Sequence, residues 1–368
     1  MQRTEKSLAV IVIVLLAIAL ATSYLYTRQS VVVPHIVVGT EQSSPITATH
    51  TFAFEESQIT ISVPVDAAVY HGAKSTNKSI SIYGNVSENI WETDSYLEMV
   101  NDPAQDQMYA DLIAQFRKIR DDQGLSSDEY LELMAAYTQS ITYETTPDNP
   151  TKYPVETVVE NAGDCDDKSV LLAGLLSHEG YKVALLSFSP ESHMALGVGS
   201  TDSLYKDTGY AYLETTNLSY VGIPPEELEG GVILTSEPRV IPVGNGTTLY
   251  TSGAETAYIH EMSTLSEQKV LGMDAQLKSL GDDLTEKQNR IAGLESQMQT
   301  QRSAGNIAAY NTQVSFHNSL VSAYNAELAT YRQQLARYNA YAGVYNYIIS
   351  HAYDRNGTYA WLKTNMPA

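Results

Sequence analysis

The last third of the chain is the most constrained, because apolar residues recur there at alternating spacings of three and four. A heptad pattern held over many steps is typical of a coiled coil. The stretch from Ser303 to Asn306 interrupts it. We therefore predict an antiparallel helical hairpin over 253–352, about 70 Å long from roughly 45 residues per arm at 1.5 Å each. The two seams are Leu277, Leu280, Leu284, Ile291, Leu294 and Met298, with Lys287 as a misfit, and then Tyr310, Val314, His317, Val321, Tyr324, Leu328, Tyr331, Leu335, Tyr338, Ala342, Tyr345 and Ile349.

Tyrosines are unusually frequent on the second seam. A tyrosine ring needs room and its hydroxyl needs a partner, so the pattern favours a wider interface or further helices alongside. We expect self-association or a protein partner through the hairpin, followed by a C-terminal tail at 353–368. The alternatives are that the tyrosines fill a monomeric coiled coil or pack back on the preceding domain. For His317 we expect a hydrogen-bonded core position.

The N-terminus carries an uncharged apolar run from Leu8 to Tyr26, long enough for a transmembrane anchor. Arg3 and Lys6 precede it, so the positive-inside rule predicts a cytoplasmic tail at 1–7 and exports the rest of the chain. The alternative is a signal peptide cleaved near Ala21. Both interpretations place the bulk of the chain outside the cell membrane.

The net charge of −21 makes nucleic acid an unlikely partner, because a negative field repels phosphate. It is typical of solubility in a salty or extracellular medium, and attraction to a basic partner or to divalent cations is the alternative. The chain also carries acceptor triplets for N-glycosylation on the exported side. They start at Asn77, Asn85, Asn217, Asn245 and Asn356.

The middle of the chain predicts an α+β domain at 104–252, after a stalk at 27–46 and a β-rich segment at 47–103 with exposed strands. Helices are expected at 104–122, from a capping box at Ser126 and Glu129 to about 141, and from about 163 to Gly180. Strands are expected at 182–188, 193–198 and 210–215. Helices followed by neighbouring strands are typical of the α+β class.

Cys165, the only cysteine, begins one of these helices and cannot form an intramolecular disulfide. A helix N-terminus favours a thiolate, although the flanking aspartates oppose it. A nucleophilic thiol needs a base and a group that orients the base. His193 and Glu214, on the following strands, are the candidates, and Gln139 with the Cys165 backbone amide could bind an oxyanion. The alternative is a buried cysteine that only packs.

Three segments carry a resemblance to a known family. They are 163–172, 193–198 and 212–216, with supporting likeness at 139–143 and 153–157. In these the chain resembles the transglutaminase-like superfamily, above all its membrane-anchored microbial members, over roughly 109–225. The resemblance implies a papain-like α+β core with Cys165 as nucleophile, His193 as base and Glu214 as orienting acid. Glu214 stands where that family usually has aspartate.

We therefore expect extracytoplasmic thiol chemistry on an amide of a protein or peptide, by hydrolysis or by acyl transfer to an amine. These reactions share the triad and differ in the acceptor admitted. No His, Cys and Asp cluster shows ligand spacing in the sequence, so we predict neither a metal nor another cofactor. The alternative function is a non-catalytic surface scaffold or adhesion protein in which the same core is a binding module.

Overall fold

The structure is a computed structural model that describes residues 14–19, 22, 30–39, 44–145, 150–228 and 230–367. The chain divides into two compact units, Met1–Ala254 and Glu255–Ala368. The predicted α+β class is confirmed, since the first unit mixes helices with antiparallel strands and the second is a long helical region.

Most of the predicted anchor at 8–26 lies outside the described residues, as does the tail before it. Within the anchor, 14–19 and 22 are helical. Across the part of the chain that the structure describes, we find no helix with both the length and the apolar character needed to cross a bilayer.

Part of the predicted stalk packs against the folded unit. Strand β1 (Ser30–Val32) pairs antiparallel with β4 (Ser81–Tyr83). Ile36 is buried, and its backbone N–H donates to the Asp102 carboxylate over 2.7 Å. The Tyr153 hydroxyl donates to the Pro34 carbonyl over 2.8 Å. The partners in these contacts lie far from 27–46 in the sequence. The composition of this segment alone could not show them, and it therefore suggested a stalk.

The predicted β-rich segment is half helical. Strands β2 (Ile46–Phe54) and β3 (Ser57–Val65) form an antiparallel hairpin, followed by helices α1 (Ala67–Ser75) and α2 (Glu88–Asn101). The strands are not exposed on both sides, because alternate residues of β3 are buried. That face lies against helix α3 (Asp106–Gln123).

Helix α3 is followed by α4 (Ser127–Ser140), α5 (Pro154–Glu160) and α6 (Cys165–His178). The predicted capping box at the start of α4 is present, with Ser126 and Glu129 bonding each other's backbone N–H groups. Helix α6 is the centre of the unit, because its apolar residues are fully buried. Gly180, with φ of +80°, follows its end as expected.

A four-stranded antiparallel sheet packs against α6, in the order β10-β7-β8-β9. Its strands are β7 (Val183–Phe188), β8 (His193–Val198), β9 (Ala211–Leu213) and β10 (Arg239–Val243). A short parallel pair, β5 (Thr142–Tyr143) with β6 (Ala162–Gly163), precedes α6. Strand β10 was not predicted from the sequence. It contains Pro242, and proline is tolerated there because β10 is an edge strand.

The second unit consists largely of α7 (Gly253–Ser303) and α8 (Ile307–Ser350), separated at the predicted break. Two ion pairs show that they run antiparallel. Lys287 pairs with Glu327, and the later α7 residue Glu295 pairs with the earlier α8 residue His317. Gly305 turns the chain with φ of +76°. His317 is hydrogen-bonded to Glu295, as expected, but it is only partly buried and does not occupy the predicted core position.

The end of the second seam differs from the prediction. Tyr341, Val344 and Ile348 are buried there, whereas Ile349 is 59% exposed. The predicted tail contains helix α9 (Arg355–Asn365), and the Trp361 ring stacks on Tyr347 with centroids 3.9 Å apart. Each buried residue thus lies one position before a predicted seam residue, and α9 packs against α8 in this region.

Candidate active site

The nucleophile candidate opens helix α6. Asp164 caps the helix, and its carboxylate accepts from the Asp167 N–H over 3.3 Å. In return, the Asp167 carboxylate accepts from the Asp164 N–H over 3.2 Å. A side chain at Gly163 would meet the Cβ of Asp167 at 2.8 Å, so glycine permits this entry. Cys165 is therefore held in the first turn, and its side chain is partly buried.

His193 and Glu214 lie together beside this helix start. His193 begins β8 and Glu214 follows β9, its neighbour in the sheet. Both are buried, and the imidazole Nε2 lies 3.2 Å from the Glu214 Oε2. The extra methylene of glutamate therefore still allows the carboxylate to reach the imidazole. An ionised carboxylate only accepts, so Nε2 carries the proton of a neutral imidazole and Nδ1 is its basic nitrogen.

Further donors fix the Glu214 carboxylate. The Tyr212 hydroxyl donates to Oε2 over 2.6 Å, and Tyr212 shares a face with Glu214 because strand side chains alternate. Oε1 accepts from the N–H groups of Thr215 and Thr216 and from the Thr216 hydroxyl. Burial acts to raise the pKa of Glu214, but the hydrogen bond and charge of His193 lower it to about 2. Glu214 is therefore ionised near neutral pH.

Cys165 and His193 line the same cleft, which has a volume of about 510 Å³. Among the described residues, no hydrogen bond joins the Cys165 Sγ to the imidazole. Burial raises the pKa of Cys165 to about 12, the charges of Asp166 and Asp164 add to this, and the Met194 backbone N–H opposes it. The thiol is therefore neutral in this geometry, and the aspartates do oppose its ionisation.

Gln139 occupies a different position from the one predicted. Its side-chain amide donates to the main-chain carbonyls of Glu214 and Ser219, over 2.7 and 3.1 Å. Both N–H donors of the amide are used by these contacts, and Gln139 is not among the residues that line the cleft. Gln139 therefore holds the main chain of the acid and presents no donor to an oxyanion.

Helix α2, outside the domain predicted to hold the site, forms one wall of the cleft. It contributes Trp91, Ser95, Tyr96 and Met99. Burial raises the pKa of Tyr96, and the nearby charge of Asp166 raises it further, so its hydroxyl stays protonated. A signal for this wall was present, since two aromatic residues, a leucine and a methionine lie within the nine positions 91–99.

Two buried polar residues of α6 were also missed, Lys168 and Ser169. They lie one turn after Cys165, where neighbouring positions of the helix are apolar. A lysine on the buried side of a helix is rare without partners, and that pattern was the available signal.

Among the residues that the structure describes, two groups of side chains have the ligand types and spacing to hold a cation. Asp164, Cys165 and Asp166 bring ligand atoms within 4.8 Å of one another, as do His35, Glu98 and Asp102. Asp164 already caps α6, and Asp166 accepts from the Thr151 hydroxyl. The fold thus brings potential metal-ligand atoms close together at positions for which the spacing in the sequence did not predict a metal site.

All five predicted glycosylation asparagines are exposed, so the fold leaves each accessible. The positions are Asn77, Asn85, Asn217, Asn245 and Asn356.

Comparisons of the chain with models of protein families, with curated proteins and with solved structures found no match.

Proposed function

We propose that this protein carries out extracytoplasmic, thiol-dependent chemistry on amide bonds, with Cys165 as nucleophile, His193 as base and Glu214 as orienting acid. The observation that carries the proposal is the buried pair of His193 and Glu214 in contact at 3.2 Å, with His193 and Cys165 lining one cleft. A base held by an ionised acid beside a nucleophile at a helix start is the arrangement that acyl transfer requires.

The reaction begins as Sγ attacks the carbonyl carbon of a peptide or protein amide. The thiol proton passes to Nδ1 of His193 as the C–S bond forms, and the oxygen becomes an anion. The Cys165 backbone N–H, at the start of a helix, can stabilise this anion. When the C–N bond breaks, the imidazolium returns the proton to the leaving amine. Water or a second amine then releases the acyl group.

The neutral thiol makes the base essential. A thiol whose pKa lies near 12 is almost entirely protonated at pH 7, so it cannot react as a preformed ion pair. We expect the proton to be removed during attack, which is general-base catalysis and contributes about 10²- to 10⁴-fold.

The fold proposed for the first unit is the papain-like core of the transglutaminase-like superfamily. Its support is a helix with the nucleophile at its start, packed on an antiparallel sheet whose neighbouring strands β8 and β9 carry the base and the acid. We propose export behind the N-terminal apolar run, and the exposed glycosylation positions are compatible with it.

The test is acylation of Cys165 by an activated ester, which needs no knowledge of the natural substrate. p-Nitrophenyl acetate should add one acetyl group to the full chain, detected by intact mass, and Cys165→Ala should remove it. His193→Gln should slow acylation at least 100-fold at pH 7.5. Absence of acylation, or an equal rate in His193→Gln, would overturn the proposal.

The second candidate is a surface scaffold in which the cleft only binds. The high pKa of Cys165 and the acidic residues beside it favour this alternative. Under it, an amine-bearing or basic peptide would bind the cleft without acylation. The same ester experiment decides between the two, because a binding module leaves Cys165 unmodified at every pH below about 8.

A further inference from the structure

Lys168 makes an unusual set of contacts for a lysine. Its side chain is fully buried, and Nζ donates to three main-chain carbonyls, those of Gln139, Ile141 and Thr216, over 3.1, 2.8 and 3.1 Å. An ammonium has three N–H donors, so each donor has one carbonyl acceptor here. Burial lowers the pKa of Lys168 to about 8, and the charge of Glu214 opposes that fall. The group is therefore mainly cationic at pH 7.

The carbonyls that Lys168 binds belong to segments that hold the acid. Thr216 donates to the Glu214 carboxylate, and Gln139 donates to the Glu214 carbonyl. Lys168 thus connects helix α6, which carries Cys165, to Thr216 and Gln139, the two residues that hold Glu214. Burying a charge is costly, and an apolar side chain would fill this space at lower cost if packing were its only role.

Ser169 makes the matching connection to the base. Its hydroxyl donates to the carbonyl of Met194, the residue after His193, over 3.3 Å. It also shares a hydrogen bond of 2.9 Å with the hydroxyl of Thr215, the residue after Glu214. The Thr215 hydroxyl in turn lies 3.5 Å from the Cys165 carbonyl. One hydroxyl network therefore adjoins all three members of the proposed triad.

We propose that Lys168 and Ser169 are positioning residues, which hold the base and the acid in register with the nucleophile one turn away on the same helix. This inference rests on the proposed function. Neither side chain lines the cleft, so both act through the main chain of residues beside His193 and Glu214. A small displacement of such groups is expected to slow the reaction without changing how the substrate binds.

The experiment measures acylation of the full chain by p-nitrophenyl acetate, as a function of ester concentration and pH. Ser169→Ala should lower the maximal rate about 10-fold and Lys168→Met about 100-fold, with the half-saturating ester concentration unchanged. The acidic limb of the rate profile should move to lower pH in both, because a displaced carboxylate stabilises the protonated imidazole less.

Matched controls separate positioning from general damage. Ser177→Ala removes a hydroxyl of the same helix that donates only to the Gly174 carbonyl. Lys152→Met removes a lysine that bonds Ala162 and Glu160 and none of the segments that hold the acid. Both controls should stay within about twofold of wild type in rate and keep the wild-type pH profile. If Lys168→Met fails to fold, as judged by circular dichroism, Ser169→Ala decides.

The outcomes are distinguishable. A folded Ser169→Ala with the rate and pH profile of wild type, in a chain whose acylation depends on His193, overturns the positioning role alone. A wild-type chain that is not acylated at Cys165, or is acylated independently of His193, overturns the proposed function and the positioning role with it.

Discussion

At the scale of single residues, the site combines a firmly held acid with a thiol that its surroundings keep neutral. Glu214 is ionised because the contact with His193 outweighs the effect of burial on its pKa. Cys165 is neutral because burial and the charge of Asp166 act in the same direction. The same helix start that presents the thiol therefore also opposes its ionisation, so under the proposed function Cys165 reacts only with His193 as its base.

The Cys165 side chain should contribute little to stability. It is only partly buried, so Cys165→Ala should change the free energy of unfolding by less than about 1 kcal/mol. Leu171→Ala, which truncates a fully buried residue of the same helix, should cost about 2–5 kcal/mol. Urea unfolding of both variants gives the comparison. An equal loss would mark Cys165 as a packing residue.

The contact between His193 and Glu214 should make stability depend on pH. The folded-state pKa of Glu214, about 2, lies below the usual 4.5, so the stabilisation is present above about pH 4.5 and is lost as the pH falls towards 2. At about 1.4 kcal/mol for each pH unit, this difference amounts to about 3 kcal/mol. Between pH 6 and pH 3, urea unfolding should show about 2 kcal/mol of that loss in wild type, because pH 3 still lies above the folded-state pKa. The loss should be smaller in His193→Gln, in which the hydrogen bonds from Tyr212 and Thr216 remain. Equal losses in the two proteins would contradict this assignment.

At the scale of elements, α6 is the part on which the first unit depends. Its start holds the thiol and its apolar residues form the core. Lys168 binds the carbonyl of Thr216, two residues after Glu214, and Ser169 binds that of Met194, next to His193 on β8. Helix α2, which precedes α6 by more than 60 residues in the sequence, forms another wall of the same cleft with Trp91 and Tyr96.

The end of α8 offers a direct test of which face is packed. Ile348 is 3% exposed and Ile349 is 59% exposed. Ile348→Ala should therefore lower the free energy of unfolding by about 2–5 kcal/mol, and Ile349→Ala should change it by no more than about 0.5 kcal/mol. Thermal or urea unfolding monitored by circular dichroism compares these neighbouring variants. A larger loss of unfolding free energy in Ile349→Ala would show that the packed face is the one expected from the heptad pattern.

At the scale of the whole molecule, the second unit gives the chain a long helical surface that is only half covered. Most seam positions of α7 and α8 stay partly exposed, and only Leu277 and Leu284 among them are buried. Outside the seams, Ile307 and Phe316 are more than half exposed. Partly exposed aromatic and aliphatic side chains in rows are typical of interfaces. We therefore expect the hairpin to mediate self-association.

Ending the chain after Ala254 tests this expectation, because the compact first unit ends there. A chain from residue 27 to Ala254 should be monomeric by light scattering and should keep acylation of Cys165. The longer chain from residue 27 to 368 should be an assembled species at high micromolar concentration. A monomeric longer chain would contradict self-association, and lost acylation would show that the second unit supports the site.

Much of the framework was predictable, because its signals are local. The capping box at Ser126, the break at Gly305 and the start of α6 each involve residues within a few positions of one another. The pairing of His193 with Glu214 was predictable as well, since strands β8 and β9 are neighbours along the chain and in the sheet.

Tertiary structure decided what depends on partners distant in sequence. Gln139 was predicted at an oxyanion, but it bonds carbonyls more than 70 positions away. Ile36 and the cleft wall from α2 lie in segments whose composition resembled a stalk and exposed strands. By itself, the sequence determined helices α3, α4 and α6, strands β7, β8 and β9 and the two long helices of the hairpin, because periodicity and capping act over one or two turns. It also supplied the residues of the candidate triad. Only the packing of α6 against the sheet and α2 determined burial. Burial keeps the Cys165 thiol neutral, whereas the contacts of Glu214 with His193 and Tyr212 keep that carboxylate ionised in spite of burial.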